Sequence, residues 1–118
     1  MIIGVGVDAV DVARFGRALA KAPGLAQRLF AENERGLPVA SLAARFAAKE
    51  AVAKALGAPR NLGWRHVIVH KSETGAPFLE LTATAAALAA ASGINKWHLS
   101  LTHDGGLALA FVVATADG

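Results

Sequence analysis

The sequence contains no cysteine. That excludes a disulfide framework, a thiol nucleophile and any cysteine-ligated zinc site, and it fits a reducing cytoplasm. Tyrosine is absent too, and aromatic residues make up only 6% of the chain, which leaves little for stacking platforms that hold single-stranded bases. Long apolar runs are also missing. The Ala-rich stretch Leu81–Ala91 falls well below the ~20 residues that span a bilayer, and the apolar start Met1–Val7 is too short for a signal segment and runs directly into Asp8 and Asp11. The expectation is a soluble, cytoplasmic protein with no membrane partner.

What is present points to one folded unit. The 118 residues are one domain's worth, taken as 1–118, and 54% hydrophobic against 18% charged residues specify a real core. A net charge of +3 suggests an anionic partner. The twelve basic residues are scattered and nine acidic ones offset them, so no groove-sized basic surface for nucleic acid is expected. Phosphate-bearing small molecules and acidic proteins remain.

Met1–Val7 alternates as a strand, with Ile3, Val5 and Val7 on one face and Gly4, Gly6 and Asp8 on the other, where another backbone or a ligand can come close. Asp11–Lys21 is expected as a helix closed by Pro23-Gly24, followed by a short helical piece over Leu25–Ala31 and a polar connection over Glu32–Pro38. Val39–Leu56 is alanine-rich, free of internal Gly or Pro and followed by Gly57, which predicts a helix apolar nearly all round and central to the domain. Trp64–Lys71 and Phe78–Leu81 are predicted strands around the turn Ser72–Pro77, and Thr82–Ser92 a helix ending at Gly93. Trp97–Thr102 and Leu107–Thr115 form a predicted hairpin through His103-Asp104-Gly105-Gly106. The fold class is α+β: a small, mainly antiparallel sheet packed on one long central helix and several shorter ones.

Three groups of polar residues could do chemistry. Glu50 and Lys54 lie four apart on the central helix, where they form either a simple ion pair or a working carboxylate and ammonium. Asp8, at the predicted strand end, either caps the following helix or acts as a metal carboxylate; with Glu50 it would supply the hard oxygen donors that suit Mg²⁺. His103 and Asp104 sit at the hairpin tip, as turn residues or as a phosphate donor and base. Arg14, Arg17 and Lys21 make one basic stripe on the first helix, a solvated face or a docking surface. Arg45 and Lys49 lie on another side of the central helix from Glu50 and would face a neighbouring subunit or the far end of a long substrate.

Taken in order, these pieces resemble the holo-acyl-carrier-protein synthase family of 4′-phosphopantetheinyl transferases. Ile3-Gly4-Val5-Gly6-Val7-Asp8 with Asp11 and Arg14-Phe15 is similar to its N-terminal motif, and Arg45–Gly57 to its signature helix. Phe30 and Glu34 are similar to its Phe-x-x-x-Glu segment, Gly75-Ala76-Pro77 to its Gly-x-Pro turn, and His98–His103 to its closing strand. The resemblance implies transfer of 4′-phosphopantetheine from coenzyme A to a serine of apo acyl carrier protein. It also implies Mg²⁺, release of adenosine 3′,5′-bisphosphate, and a homotrimer with active sites between subunits. Carried onto this chain, Asp8 and Glu50 are the metal ligands, Lys54 stands near the pyrophosphate, and His103 lies near coenzyme A together with Arg45, Lys49, Gly75 and Pro77. Arg14, Arg17 and Lys21 receive the carrier protein. The serine proton goes to Glu50 acting through water, to a metal-bound water, or to His103/Asp104, with Glu50 preferred. Two departures from the family pattern are a short Ala31–Ala40 connection and a tight hairpin after Asp104.

Overall fold

A computed structural model describes residues 1–117. Strands β1 (Ile2–Asp11), β4 (Lys96–Asp104) and β5 (Leu107–Thr115) form an antiparallel sheet in the order β1-β5-β4. Strands β2 (Val67–Lys71) and β3 (Pro77–Leu81) form a separate antiparallel hairpin beside β4, so the expected antiparallel sheet is present as two ladders. Helices α1 (Val12–Lys21), α2 (Leu25–Leu29), α3 (Val39–Ala55) and α4 (Ala83–Ala91) complete the α+β fold.

Helix α3 is the centre. Ala43, Ala47, Ala48, Ala51 and Val52 are buried completely on several of its sides, as an all-round apolar helix requires. One side packs on the inward residues of β5, Ala110 and Val112, and on Val67 and Val69 of β2; another packs with Phe15 and Phe30. The small residues on both surfaces let helix and sheet approach closely.

The approach is closest at β1. A Cβ on Gly6 would lie 1.8 Å from the Ala51 carbonyl oxygen, and one on Gly4 would lie 2.2 Å from that of Ala55. The glycine face of β1 therefore receives the backbone of α3. On the opposite face of the sheet, Val5 (54%), Val7 (53%) and Phe111 (50%) stand exposed as an uncovered apolar patch.

Three boundaries differ from the sequence expectation. Strand β1 continues to Asp11 because its pairing with β5 runs on to Leu107. Asp11, not Asp8, therefore caps α1, accepting the Arg14 N–H at 2.8 Å. The predicted strand Trp64–Lys71 begins with a 3₁₀ turn at Trp64–His66. The connection after α2 also contains a 3₁₀ turn, Glu32–Glu34, whose Glu34 is fully buried.

Candidate active site

Asp8 lies on the helix-facing side of β1, two residues beyond Gly6, and Glu50 is the neighbour of Ala51 on α3. The backbone contact between Gly6 and Ala51 thus brings the two carboxylates to one cleft, lined by Asp8, Asp11, Arg14, Phe15, Phe46 and Glu50 among others. Phe15 and Phe46 stack in its wall with centroids 5.3 Å apart.

Lys54, one turn further along α3, meets Asp8 of this cleft. Its Nζ donates to Asp8 Oδ1 at 3.0 Å and to the Val7 carbonyl at 2.9 Å. Among the described residues it forms an ion pair with Asp8 and none with Glu50. The i,i+4 pairing read from the helix is thus replaced by a bond across to the strand.

Glu50 is left without a cation in direct contact. Burial pushes its pKa above the ordinary carboxylate value, the neighbouring Asp8 carboxylate raises it further, and Lys54 opposes both. A carboxylate held partly out of water beside a second carboxylate is a donor set that a hard cation would relieve. Among the described residues there is no group of three or more His, Cys, Asp or Glu able to hold a metal. Asp8 and Glu50 could hold Mg²⁺, which takes one or two carboxylates and fills its shell with water and substrate oxygens.

A second cavity, of about 230 Å³, lies on the other side of α3. Arg45, Lys71, Gly75, Pro77, Leu101 and His103 are among its lining residues. Arg45 and Glu50 are about 140° apart around the helix, so α3 stands between the two concavities. The carboxylate cleft borders edge strand β1 and the second cavity borders edge strand β4.

The structure brings Arg45, Gly75, Pro77 and His103 together, as the sequence reading grouped them. It does not bring Lys49 with them. Lys49 is fully buried, and its ammonium donates to Glu34 Oε1 at 2.8 Å, to the Trp64 carbonyl at 3.0 Å and to the Val67 carbonyl. All three of its N–H groups are used, so the expected cofactor contact from Lys49 is corrected to an internal tie. Burial lowers the Lys49 pKa, the Glu34 carboxylate opposes that fall, and Arg45 adds to it. Glu34 also accepts the N–H groups of Ala31 and Val69, both at 3.0 Å, and its Oε2 lies 3.7 Å from Arg45 Nη1.

Asp104 lines neither concavity. It pairs with Leu107 at the last rung before the two-residue turn Gly105-Gly106, whose φ values of +58° and +81° are those glycine adopts without strain. Adjacent strand residues point to opposite faces, so His103 turns to the cavity and Asp104 away from it. The expected His103/Asp104 pair is not formed. Arg14, Arg17 and Lys21 are exposed along α1, with Arg14 on the rim of the carboxylate cleft. Lys71, which the sequence reading missed, lines the second cavity; its signal was the alternation Val67, Val69, Lys71, which puts all three on one face of β2.

The geometry has known counterparts. A family model described as the 4′-phosphopantetheinyl transferase superfamily matches residues 4–112. The holo-acyl-carrier-protein synthase of Frankia casuarinae is 59% identical over 96% of this chain and 97% of its own length. That of Micrococcus luteus is 56% identical over 97% of this chain and 92% of its own length. Among solved structures, the Neisseria meningitidis holo-acyl-carrier-protein synthase superposes with a TM-score of 0.88 at 33% identity, covering 98% of this chain and 99% of its own. The Helicobacter pylori enzyme, solved in complex with coenzyme A, superposes with a TM-score of 0.84 at 28% identity, covering 94% and 99% of the two chains. The matches place this chain in the 4′-phosphopantetheinyl transferase superfamily, and within it the chain belongs to the holo-acyl-carrier-protein synthase family. It is an enzyme of that transferase class.

Proposed function

We propose that this enzyme transfers the 4′-phosphopantetheine group of coenzyme A to a serine of apo acyl carrier protein. In this reading the serine Oγ forms a bond to the β-phosphorus. The bond from that phosphorus to the bridging oxygen breaks, and adenosine 3′,5′-bisphosphate leaves. The observation that carries the reading is that Asp8 and Glu50 share one cleft, with the Lys54 ammonium bonded to Asp8. The complex of the Helicobacter pylori enzyme with coenzyme A supports the choice of donor.

Asp8 and Glu50 would hold Mg²⁺, which when bound supplies positive charge to the phosphoryl oxygens. Lys54, already seated on Asp8, adds a second positive charge at the same place. Glu50 accepts the serine proton through a water. Arg45, Gly75, Pro77 and His103 hold a more distant part of coenzyme A. The exposed face of Arg14, Arg17 and Lys21 receives an acidic carrier protein beside the cleft, an attraction that speeds encounter.

A homotrimer with active sites between subunits belongs to the same reading. One chain keeps the carboxylate cleft and the second cavity on opposite edges of its sheet, so a ligand using both chemistries is served best where two chains meet. The uncovered patch of Val5, Val7 and Phe111 favours such an association. The cytoplasm is the proposed compartment.

The test is mass spectrometry of an apo acyl carrier protein incubated with the enzyme, coenzyme A and Mg²⁺, beside an EDTA control. The expected result is a phosphopantetheine mass gain that EDTA abolishes. Folded enzyme that binds coenzyme A yet modifies none of several carrier proteins would overturn the reading.

A further inference from the structure

We propose that Glu34 is a positioning residue: its buried carboxylate stands in for a neighbouring strand along the open edge of β2 and so fixes where the β2–β3 hairpin sits against α3. That the hairpin so held serves coenzyme A rests on the proposed transfer reaction; the linkage itself rests on the structure.

Strand β2 is paired on one side only. Its ladder partner is β3, with Ile68 opposite Glu80 and His70 opposite Phe78. In an antiparallel pair, alternate residues turn both backbone groups away from the partner. The Thr82 N–H donates to the His66 carbonyl at 2.9 Å, so the even-numbered residues of β2 face β3. Val67 and Val69 then aim their backbone groups at the open edge. Both residues are buried, where an unpaired backbone group is costly.

Side chains fill the place of the missing strand. The Val69 N–H donates to Glu34 Oε2 at 3.0 Å, the Val69 carbonyl accepts from Arg45 Nη1, and the Val67 carbonyl accepts from the Lys49 ammonium. Among the described residues, every hydrogen bond between β2 and α3 runs through Arg45 or Lys49. Glu34 holds both, with Oε1 accepting from Lys49 at 2.8 Å and Oε2 lying 3.7 Å from Arg45 Nη1. Oε1 also accepts the Ala31 N–H at 3.0 Å, which ties the carboxylate to its own 3₁₀ turn. One side chain thus joins the connection, the helix and the hairpin.

The arrangement demands a carboxylate. Donors from Ala31, Lys49 and Val69 converge on it, with Arg45 close by. An ionised carboxylate is acceptor-only, with about four lone-pair sites, whereas a glutamine offers one oxygen and turns an NH₂ toward the remaining donors. The apolar contact of Val67 and Val69 with Ala47 and Ala48 presses the hairpin onto α3, but such contact is non-directional and sets no register. Val69, Lys71, Gly75 and Pro77 belong to the hairpin and line the second cavity. A hairpin that slips carries that wall with it, while the carboxylate cleft borders β1 and stays in place.

Amide hydrogen exchange, calorimetric binding of coenzyme A and steady-state kinetics on the full chain test this. The proteins are the wild type, Glu34→Gln, and Glu34→Gln combined with Lys49→Gln, which leaves no ammonium unpartnered at residue 49 and keeps a donor there. In the wild type the Val69 amide should exchange as slowly as those of Ile68 and His70, although it faces no strand. In both variants it should exchange about tenfold faster or more, while Ile68 and His70, bonded within the hairpin, keep their protection. If the docked hairpin falls to about a tenth of the population, apparent affinity falls by the same factor, so Kd and KM for coenzyme A should rise about tenfold. The kcat and the KM for carrier protein should hold. A freely exchanging Val69 amide in the wild type would overturn the assignment. So would unchanged coenzyme A affinity in the variants, or faster exchange spread evenly over Ile68, Val69 and His70, which marks simple destabilisation. A chain that shows the expected exchange and affinity shifts yet modifies no carrier protein would sink the transferase reading and leave the Glu34 assignment standing.

Discussion

Replacing Gly6 with alanine should disable this enzyme without touching any polar group. The new Cβ would sit 1.8 Å from the Ala51 carbonyl oxygen, where ordinary contact begins at 3.4 Å, a shortfall of 1.6 Å. The obstructing atom is backbone in the middle of α3, so no side chain can swing away. Strand β1 would have to lift off the helix, opening the packing of Ala47 and Ala51 against Ala110 and Val112. Overpacking of this kind costs roughly 1–3 kcal/mol, and alanine returns about 0.4–1 kcal/mol by restricting the unfolded chain. A backbone obstruction belongs at the upper end, so the net loss should be about 2–3 kcal/mol, or roughly 10 °C in Tm.

Gly16 provides the control. A Cβ there would lie 3.1 Å from Val39 Cγ1, a side-chain atom able to yield, and the helical position favours alanine. Urea unfolding should show a lower midpoint with unchanged slope for Gly6→Ala, and a midpoint equal to or above wild type for Gly16→Ala. Transfer activity of Gly6→Ala, assayed well below its melting temperature, should fall about 100-fold, because a shift near 1 Å separates Asp8 from Glu50. A Gly6→Ala protein with wild-type midpoint and activity would refute the claim that this backbone contact sets the carboxylate geometry.

Three further outcomes are expected. Lys49→Met should destabilise the fold by about 3–5 kcal/mol in urea titrations, because it leaves the buried Glu34 carboxylate without its partner. The raised Glu50 pKa means that the native state holds the extra proton above the ordinary carboxylate range of ~4.3, so metal-free stability falls as pH rises through the folded value. Glu50→Gln should therefore melt higher than wild type at about pH 8 in EDTA, match it near pH 4, and lose transfer activity by ~100-fold or more. Arg17→Glu should raise the KM for carrier protein by about tenfold at low salt with kcat unchanged, and the effect should shrink as salt is added.

The sequence was most legible where one element's own pattern decides the outcome. The glycine face of β1 announced a close backbone approach, and the alanine content of α3 announced a helix buried on several sides. Asp8 and Glu50 could be paired from their chemistry only on the condition that the strand end lay beside the helix, some forty residues away, and the family's motif order supplied that condition. What stayed hidden were contacts fixed by distant segments. Spacing along α3 could not reveal that Lys54 would leave Glu50 for Asp8, since that choice depends on where β1 lies. Nor could it show Lys49 turning inward, which requires the buried carboxylate of Glu34 from a 3₁₀ turn that read as a polar connection. Asp8 was weighed as a helix cap because nothing local said that strand pairing would run three residues further.

The aromatic wall of the carboxylate cleft has a practical consequence. Phe30, Phe15, Phe46 and Trp64 form a continuous row, with Phe46 and Trp64 centroids 5.8 Å apart. Phe46 faces the cleft, so any movement there is passed to an indole one contact away. With no tyrosine and only two tryptophans in the chain, replacing Trp97 by phenylalanine would leave Trp64 as the sole emitter. The molecule thus carries its own optical reporter, through which cation or substrate entry becomes visible as a change in fluorescence in real time.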